Sequence, residues 1–195
     1  LGSTGDNLSL RFMLNVTDSD SANQKSSNKT IDVWVRDFVE TMYVDGDLGT
    51  DCLTYTPAGG GSCSGGSFKA YNTLQEAANN VSSGDTVYVR NGTYSTSSNG
   101  VNNGVFFIDG RTMSIGQPGN EITFSNYQNE EVVVDATNFL YGMQILFNSY
   151  INIRGFKFVN SKQDGMTVVA SHHIILENCE FRNNINNGLE FRLSI

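Results

Sequence analysis

Long apolar runs and basic charge are both scarce in this sequence. No stretch of 18 apolar residues occurs, so we expect no membrane-spanning helix in this segment. Lys and Arg number 12 against 20 Asp and Glu, which gives a net charge of -8. Because no basic face is available to release the counterions of a phosphate backbone, we expect no nucleic-acid partner.

An initiating methionine and a signal peptide are also missing. The last repeat described below stops at Ile195 before it is complete. We therefore expect the chain to be a truncated piece of a larger protein.

The composition favours β structure. Charged residues make up 16% of the chain and hydrophobic residues 38%, and 20 residues are glycine. This balance, with many Ser, Thr and Asn, is typical of turn-rich strands rather than helices. The expected fold class is all-β.

The last third of the chain repeats itself every 23 residues, with Gly142, Gly165 and Gly188 at the same position of three successive rows. Apolar residues alternate with polar ones along each row, as in a strand with one buried face. They also recur in fixed columns: Met143, Met166 and Leu189; Ile145, Val168 and Phe191; Ile151 and Ile174; Ile153 and Leu176; Phe156 and Cys179; Phe158 and Phe181. A period in the twenties predicts a solenoid.

Each complete row contains three short alternating runs separated by turns of unequal length. Three runs predict a roughly triangular coil whose strands stack in parallel, about 4.8 Å apart. Gly155 and Asn178 share a column between the second and third runs, where a left-handed bend is expected. The Leu and Asn order of a leucine-rich repeat is absent, so the pattern predicts a parallel β-solenoid.

The row DGMTVVASHHIILENCEFRNN, with its neighbours, resembles coils of the right-handed parallel β-helix proteins of the pectate-lyase-like superfamily, especially the family-nine pectate lyases. Upstream, YVDGDLGTD and SFKAYNTLQEAANNVSSGDTVYVRNGTY resemble the entry and cap of that family. The resemblance covers residues 43–195. It implies a right-handed parallel β-helix in an extracellular or cell-surface protein that binds or acts on acidic polysaccharide.

For an enzyme, the resemblance implies a polysaccharide lyase that works by calcium-assisted β-elimination. In such lyases a basic side chain abstracts the proton next to a uronate carboxylate, while calcium held by aspartates stabilises the developing enolate. Those residues belong to coils later than the ones matched here, so no catalytic residue is carried over. The same coils also serve non-enzymatic proteins. The alternative is therefore an adhesive or filament-forming surface protein that associates with itself or with neighbouring domains.

A short helix precedes the coils. From Leu74 to Val81 the apolar residues recur at helical spacing, with Asn72 or Thr73 as N-cap and Gly84 beyond the end. A solenoid must cover its first coil, since its open core and unpaired strand edge would otherwise face water. The helix is expected to be this cap.

Residues 1–40 are expected to form a unit separate from residues 41–195. Leu8 to Val16 and Ile31 to Val35 alternate strictly, which predicts two antiparallel strands joined by a loop. LRFMLNVTDSDSANQKSSNKTIDVWV resembles the final two strands of immunoglobulin-like sandwich modules of the polycystic-kidney-disease and cadherin-like kinds. In the loop, Asp18 and Asp20 either bind calcium between modules or form a solvated turn.

The outward positions on the first run of each row form a candidate substrate-binding face. Because parallel β-helix enzymes tend to lay saccharide along this ladder, the resemblance implies that side chains here contact sugar. The alternative is an ordinary solvated ladder. The candidates in two outward columns and at the mouth of the neighbouring turn are Gln144, Thr167, Glu190, Arg192, Lys162 and Asp164.

Several other polar residues have a functional and a plain interpretation. Asp45, Asp47 and Asp51 either hold a hard cation such as calcium or form a sharp turn. The absence of the glycine and terminal glutamate of a calcium-loop signature favours the turn. His172 and His173 are expected in a turn-packing column with Tyr150, with a catalytic or metal role as the alternative. Glycosylation sequons, compatible with a surface protein, occur at Asn7, Asn15, Asn28, Asn80 and Asn91.

The cysteines have separate expected roles. Cys52 and Cys63 flank a loop of ten residues, and a disulfide between them would restrict an otherwise floppy connection. An oxidising compartment permits this bond. Cys179 stands in an inward column, where we expect a free, buried thiol that packs as a small apolar residue.

We expect this chain by itself to show no lyase turnover, because the family's catalytic residues are not among those matched. The measurement is the ultraviolet absorbance of unsaturated product after polygalacturonate and calcium are added. Product that accumulates above an enzyme-free control would contradict the expectation.

Overall fold

In a computed structural model, residues 9–17, 26–34, 39–95 and 104–193 are described. The chain divides into two compact units, residues 1–38 and 39–195. The first contains two antiparallel strands, β1 (Ser9–Thr17) and β2 (Ser26–Trp34). Leu8, Val35, Asp18 and Asp20 lie outside the described residues, and kinship with immunoglobulin-like modules stays a prediction.

The second strand of this pair begins earlier than the alternation in the sequence predicts. The ladder runs from Ser9 opposite Trp34 to Thr17 opposite Ser26, without a bulge. The polar residues before Ile31 therefore belong to the strand and not to the loop. Backbone hydrogen bonds extend an antiparallel ladder whatever the side chains are, which is why the hydrophobic pattern located this boundary poorly.

Across residues 39–95 and 104–193, the second unit is built from short strands, one helix and two single 3-10 turns at Ala58–Gly60 and Tyr127–Asn129. The elements are β3 (Thr41–Val44), β4 (Cys52–Tyr55), β5 (Phe68–Tyr71), α1 (Leu74–Asn80), β6 (Thr86–Val89), β7 (Gly92–Tyr94), β8 (Gly104–Asp109), β9 (Ile122–Asn126), β10 (Val132–Asp135), β11 (Tyr141–Leu146), β12 (Ser149–Arg154), β13 (Phe156–Val159), β14 (Asp164–Val169), β15 (His172–Glu177), β16 (Glu180–Arg182) and β17 (Leu189–Arg192).

These strands form three sheets that run along the solenoid. One has the order β16-β13-β10-β7, a second β17-β14-β11-β8, and the third continues from β15-β12-β9-β6 through β3 and β5 to β4. All neighbours pair in parallel except β4 with β5. Each coil contributes one strand to each sheet, so the predicted three-sided parallel solenoid is confirmed.

The predicted apolar columns are confirmed as stacks of paired residues. Met143 lies opposite Met166, and Met166 opposite Leu189. Phe158 stacks on Phe181 with ring centroids 5.3 Å apart. Burial is complete in the middle coils but not at β17, where Phe191 is 63% exposed. Because β17 is the last strand of its sheet, its inner side chains are covered from one side.

The glycine column has a steric cause. At Gly165, backbone N–H donates to the carbonyl of Asn187 at 2.9 Å, so the coils approach closely. A Cβ atom on Gly165 would lie 2.7 Å from the carbonyl oxygen of Gly188, and one on Gly142 would lie 2.5 Å from that of Gly165. Gly142 and Gly165 therefore make room for the backbone of the next coil, whereas a Cβ atom on Gly188 would lie 2.7 Å from the Phe181 side chain.

The turns repeat their backbone geometry as well. Left-handed residues recur at the 23-residue interval, which lets each turn stack on the one before. The pairs are Phe147 and Ala170, Tyr150 and His173, Gly155 and Asn178, and Asn160 and Asn183. The bend predicted at Gly155 and Asn178 is confirmed, with φ of 74° and 53°.

Helix α1 covers the first coil, as predicted. Thr73 is its N-cap, and its hydroxyl accepts from the backbone N–H of Glu76. The buried Gln75 donates to the carbonyl of Phe107 at 3.2 Å and accepts from its N–H at 2.8 Å, so its amide pairs with the edge of β8 as a strand would. The helix ends at Asn80, with the predicted Val81 as its C-cap, and the Asp85 carboxylate then accepts from the N–H of Ser82 at 2.7 Å.

We expect Gly165→Ala to lower the free energy of unfolding by about 1–3 kcal/mol, the usual cost of overpacking a tight site. The reason is that the added methyl group meets a backbone carbonyl that cannot move without breaking the ladder. Urea unfolding measures the change. Gly49→Ala is the control, because nothing lies within 4 Å of its Cβ position; equal midpoints for both variants would contradict the steric account.

Candidate functional site

The predicted outward column lies on the sheet formed by β8, β11, β14 and β17. Gln144 pairs with Thr167, and Thr167 pairs with Glu190. Val169 pairs with Arg192 in the next position. The alignment of the three repeat rows therefore predicted the correct strand register for these residues.

Asp164 is the centre of a polar cluster at one end of this ladder. Its Oδ1 accepts from the backbone N–H of Asn187 at 3.1 Å and from the Asn187 side-chain amide at 3.0 Å. Its Oδ2 accepts from the Thr167 hydroxyl at 3.4 Å and lies 3.5 Å from Nη2 of Arg192. The carboxylate thus joins strand β14 to the coil that follows it.

The expected exposure of two residues is wrong. Asp164 was expected at the mouth of a turn and Thr167 on an outward column, yet they are 0% and 1% exposed. The reason is that the side chains of Asn187, Thr167 and Arg192 all contact the Asp164 carboxylate. These contacts shield the carboxylate and the Thr167 hydroxyl from solvent. Neither residue is accessible to a ligand in this arrangement.

Glu190 and Arg192 form the exposed part of the cluster. Arg192 Nε donates to the Glu190 carboxylate at 2.7 Å. This bond lowers the pKa of Glu190 and raises that of Arg192. The two side chains remain 29% and 47% exposed. The guanidinium is shared between two carboxylates, Glu190 and Asp164, so it is already neutralised.

Gln144 does not join this cluster. Its side-chain Oε1 is buried, and it has no hydrogen-bond partner among the described residues. An unpaired buried carbonyl oxygen costs free energy. Gln144 therefore lies in the predicted column without the hydrogen bonds that link the other members.

Lys162 lies in the turn between β13 and β14 and is exposed. Its ammonium donates to the backbone carbonyl of Asn138 at 3.3 Å. The turn backbone stacks on the preceding coil, since Lys162 N–H donates to the Phe139 carbonyl at 3.0 Å. The next residue in the chain, Gln163, accepts at its side-chain oxygen from the Tyr141 hydroxyl at 2.6 Å.

The aspartates near residue 45 have a different arrangement from the one that a cation site requires. Asp45 is 4% exposed, and its Oδ2 accepts from the Tyr55 hydroxyl at 2.6 Å. Asp51 instead accepts from the backbone N–H of Asn72. Within residues 39–95 and 104–193, no three His, Cys, Asp or Glu side chains form a group that could hold a metal ion. Calcium binding stays a prediction without a located site.

The Asp45 carboxylate belongs to a buried network instead. Arg90 Nη1 donates to the Tyr55 hydroxyl at 2.9 Å, and the Arg90 guanidinium makes a bidentate pair with Glu130 at 2.8 and 3.0 Å. Burial, with the Asp45 hydrogen bond, raises the pKa of Tyr55, and Arg90 lowers that of Glu130. The network holds the loop after β4 against the solenoid.

The predicted disulfide is confirmed: Cys52 and Cys63 are bonded, with Cα atoms 5.6 Å apart. Cys179 is a free thiol, as expected, but it is only partly buried. Its Sγ donates to the carbonyl of Ile153, and burial raises its pKa. It therefore packs as a small residue in its column.

Two of the predicted sequons can be located at the surface. Asn80 and Asn91 are both exposed. Asn15 and Asn28 lie opposite each other on β1 and β2, and Asn7 lies outside the described residues. Glycosylation at all five stays a prediction.

Sequence reasoning did not single out Tyr141, Gln163 or Asn187. One signal was available, because Tyr141, Asp164 and Asn187 begin the three repeat rows and so form a column of their own. Arg90 and Glu130 were missed for another reason. They are 40 residues apart and meet only because β6 and the turn after β9 lie on neighbouring coils.

Parallel coils, stacked apolar columns and a capping helix define a parallel β-helix. A family model for the Pel9A-like, right handed beta helix region matches residues 54–194. The chain therefore belongs to this pectate-lyase-like β-helix family, and the handedness expected from the sequence is confirmed. Searches of curated proteins and of solved structures gave no significant match. The described residues contain no helix with the length and apolarity needed to cross a bilayer.

We expect Asp164→Asn to lower the free energy of unfolding by about 1.5–3 kcal/mol, the range for hydrogen bonds to a charged group. The substitution keeps the shape but removes a fully buried carboxylate charge, which pairs with the partly exposed Arg192. Thermal or urea unfolding measures the change. Asp47→Asn, at an exposed carboxylate, is the matched control, and an equal effect of both substitutions would contradict the role of the cluster.

Proposed function

We propose that this chain is part of an extracellular, carbohydrate-active β-helix protein and that it binds acidic polysaccharide at the turn before β14. Membership of the pectate-lyase-like family supports the carbohydrate-active class. The disulfide between Cys52 and Cys63 is compatible with an oxidising compartment. The proposed binding site rests on one observation: Lys162 is exposed, and its ammonium bonds to a backbone carbonyl and not to a carboxylate.

Lys162 differs from the other cations of the solenoid. In residues 39–95 and 104–193 it is the one Lys or Arg without a carboxylate partner, and its ammonium is exposed. The other seven are neutralised by the pairs Lys69 with Glu40, Arg90 with Glu130, Arg111 with Asp109, Arg154 with Glu177, Lys157 with Glu131 and Glu180, Arg182 with Glu180, and Arg192 with Glu190 and Asp164.

A uronate carboxylate needs a cation that is not already neutralised. Arg192 fails this condition because it shares its charge with Glu190 and Asp164. Lys162 meets it, since its one hydrogen bond goes to a neutral carbonyl. Gln163 follows Lys162 in the chain, and its side chain accepts from the Tyr141 hydroxyl. Both residues are partly exposed and supply an amide and a hydroxyl, which are groups that bind sugar hydroxyls.

The rest of the predicted ladder has a supporting role in this proposal. Asp164 and Thr167 hold the end of β14 in place, directly after Lys162 and Gln163. Glu190 carries a negative charge on the same face, so an acidic polymer is expected to lie toward the Lys162 turn and away from Glu190. Calcium would relieve this repulsion by bridging carboxylates.

The chain is expected to bind de-esterified polygalacturonate, and Lys162→Ala is expected to weaken binding about fivefold, which equals about 1 kcal/mol. The reason is the loss of the unpaired cation. Affinity electrophoresis or calorimetry at low salt measures the dissociation constant of each variant for the polymer. Fully methyl-esterified polymer should bind no better than a neutral glucan.

The control is Lys157→Ala, which removes the same charge from a lysine that is paired with Glu131 and Glu180. Equal weakening by both variants would mean general electrostatic attraction and would contradict the proposed site. No binding of the unsubstituted chain to any uronan, with or without calcium, would instead favour the structural or adhesive alternative.

A further inference from the structure

Two histidines converge at the start of β15, directly after the turn that follows β14. Neighbouring residues in a strand point to opposite faces, but Nδ1 of His172 lies 2.7 Å from Nδ1 of His173. The left-handed backbone of His173, with φ of 54°, redirects its side chain. Both imidazoles are exposed, so the two nitrogens meet at the surface.

The scaffold of the coils holds this arrangement. Tyr150 occupies the same turn position one coil earlier, with φ of 55°. Its ring stacks on His173 at 4.4 Å and 12°, and meets the edge of His172 at 5.8 Å and 86°. The backbone N–H of His172 donates to the Asn148 carbonyl at 3.2 Å. One aromatic ring and one backbone bond therefore orient the pair.

The distance between the nitrogens fits one coordination geometry better than another. Two imidazole nitrogens about 2.0 Å from one metal are about 2.8 Å apart at the 90° angle of a square plane. At a tetrahedral angle they are about 3.3 Å apart. The observed 2.7 Å matches neighbouring positions of the square plane, which Cu²⁺ and Ni²⁺ favour.

We propose that His172 and His173 form a bidentate surface site for Cu²⁺ and Ni²⁺, with both Nδ1 atoms as ligands and solvent at the remaining positions. In the free neutral pair, one Nδ1–H donates to the other Nδ1. On binding, that histidine exchanges its proton to Nε2 through solvent, so the neutral pair releases no net proton. Each nitrogen replaces one water of the hydrated ion.

This site is independent of the proposed polysaccharide site and differs from calcium chemistry. Calcium takes oxygen ligands, whereas this pair offers imidazole nitrogen. The order of affinity is therefore Cu²⁺ over Ni²⁺ and Zn²⁺, with no competition from Ca²⁺. With two protein ligands, the bound ion keeps open positions and exchanges readily.

The repeat supplies a matched control. Ser149 and Tyr150 stand opposite His172 and His173 one coil earlier, so the substitutions His172→Ser and His173→Tyr give the turn the residues of its neighbour. The circular dichroism spectrum and the free energy of unfolding of this double variant should then match those of the unsubstituted chain.

Calorimetric titration of the untagged chain with NiCl₂, and electron paramagnetic resonance with CuCl₂, test the proposal. We expect one ion per chain with nitrogen hyperfine structure. The double variant should lose at least about tenfold in affinity, the lower end of what even an outer-shell partner contributes. Affinity that is unchanged in the folded double variant, or displacement of Ni²⁺ by Ca²⁺, would overturn the proposal.

Discussion

The close approach of successive backbones at Gly142 and Gly165, near the start of β11 and β14, is the constraint on which this part of the solenoid depends. The N–H of Met166 reaches the carbonyl of Gly188 at 2.9 Å, and a Cβ atom on Gly142 would lie 2.5 Å from the carbonyl oxygen of Gly165. At these two levels a residue without a Cβ leaves room for the next backbone, whereas Val105 holds the same position on β8. Once the corner is tight, the flanking strands are fixed in register, and the apolar columns and the turns must stack in the same order.

The polar clusters depend on this stacking, since each joins groups that are distant along the chain. The Asp164 cluster joins residues 23 positions apart in sequence, and the pair of Arg90 and Glu130 joins residues 40 positions apart. Such networks cost desolvation and are stable only when their geometry is held by other contacts. The stacked backbones provide that geometry, so these clusters follow from the fold and do not create it.

The same principle accounts for the two proposed sites. Lys162 remains unpaired because its turn stacks through backbone bonds and needs no ion pair to hold it. His172 and His173 converge because the turn repeats the left-handed geometry of Tyr150. In both places backbone hydrogen bonds to the preceding coil hold the chain, which leaves side chains available for a ligand. The function that we infer therefore belongs to the turns more than to the sheet faces.

The sequence by itself determined the coil period, the inward columns, the capping helix and the disulfide, because each rests on a local pattern or on spacing that a solenoid preserves. It did not determine burial on the outer face. Thr167 and Asp164 were read as accessible, since alternation tells which way a side chain points but not what lies over it. Only the tertiary structure decided that, because Asn187 and Arg192 come from the next coil, and their reach depends on rotamers and distances that no linear pattern contains.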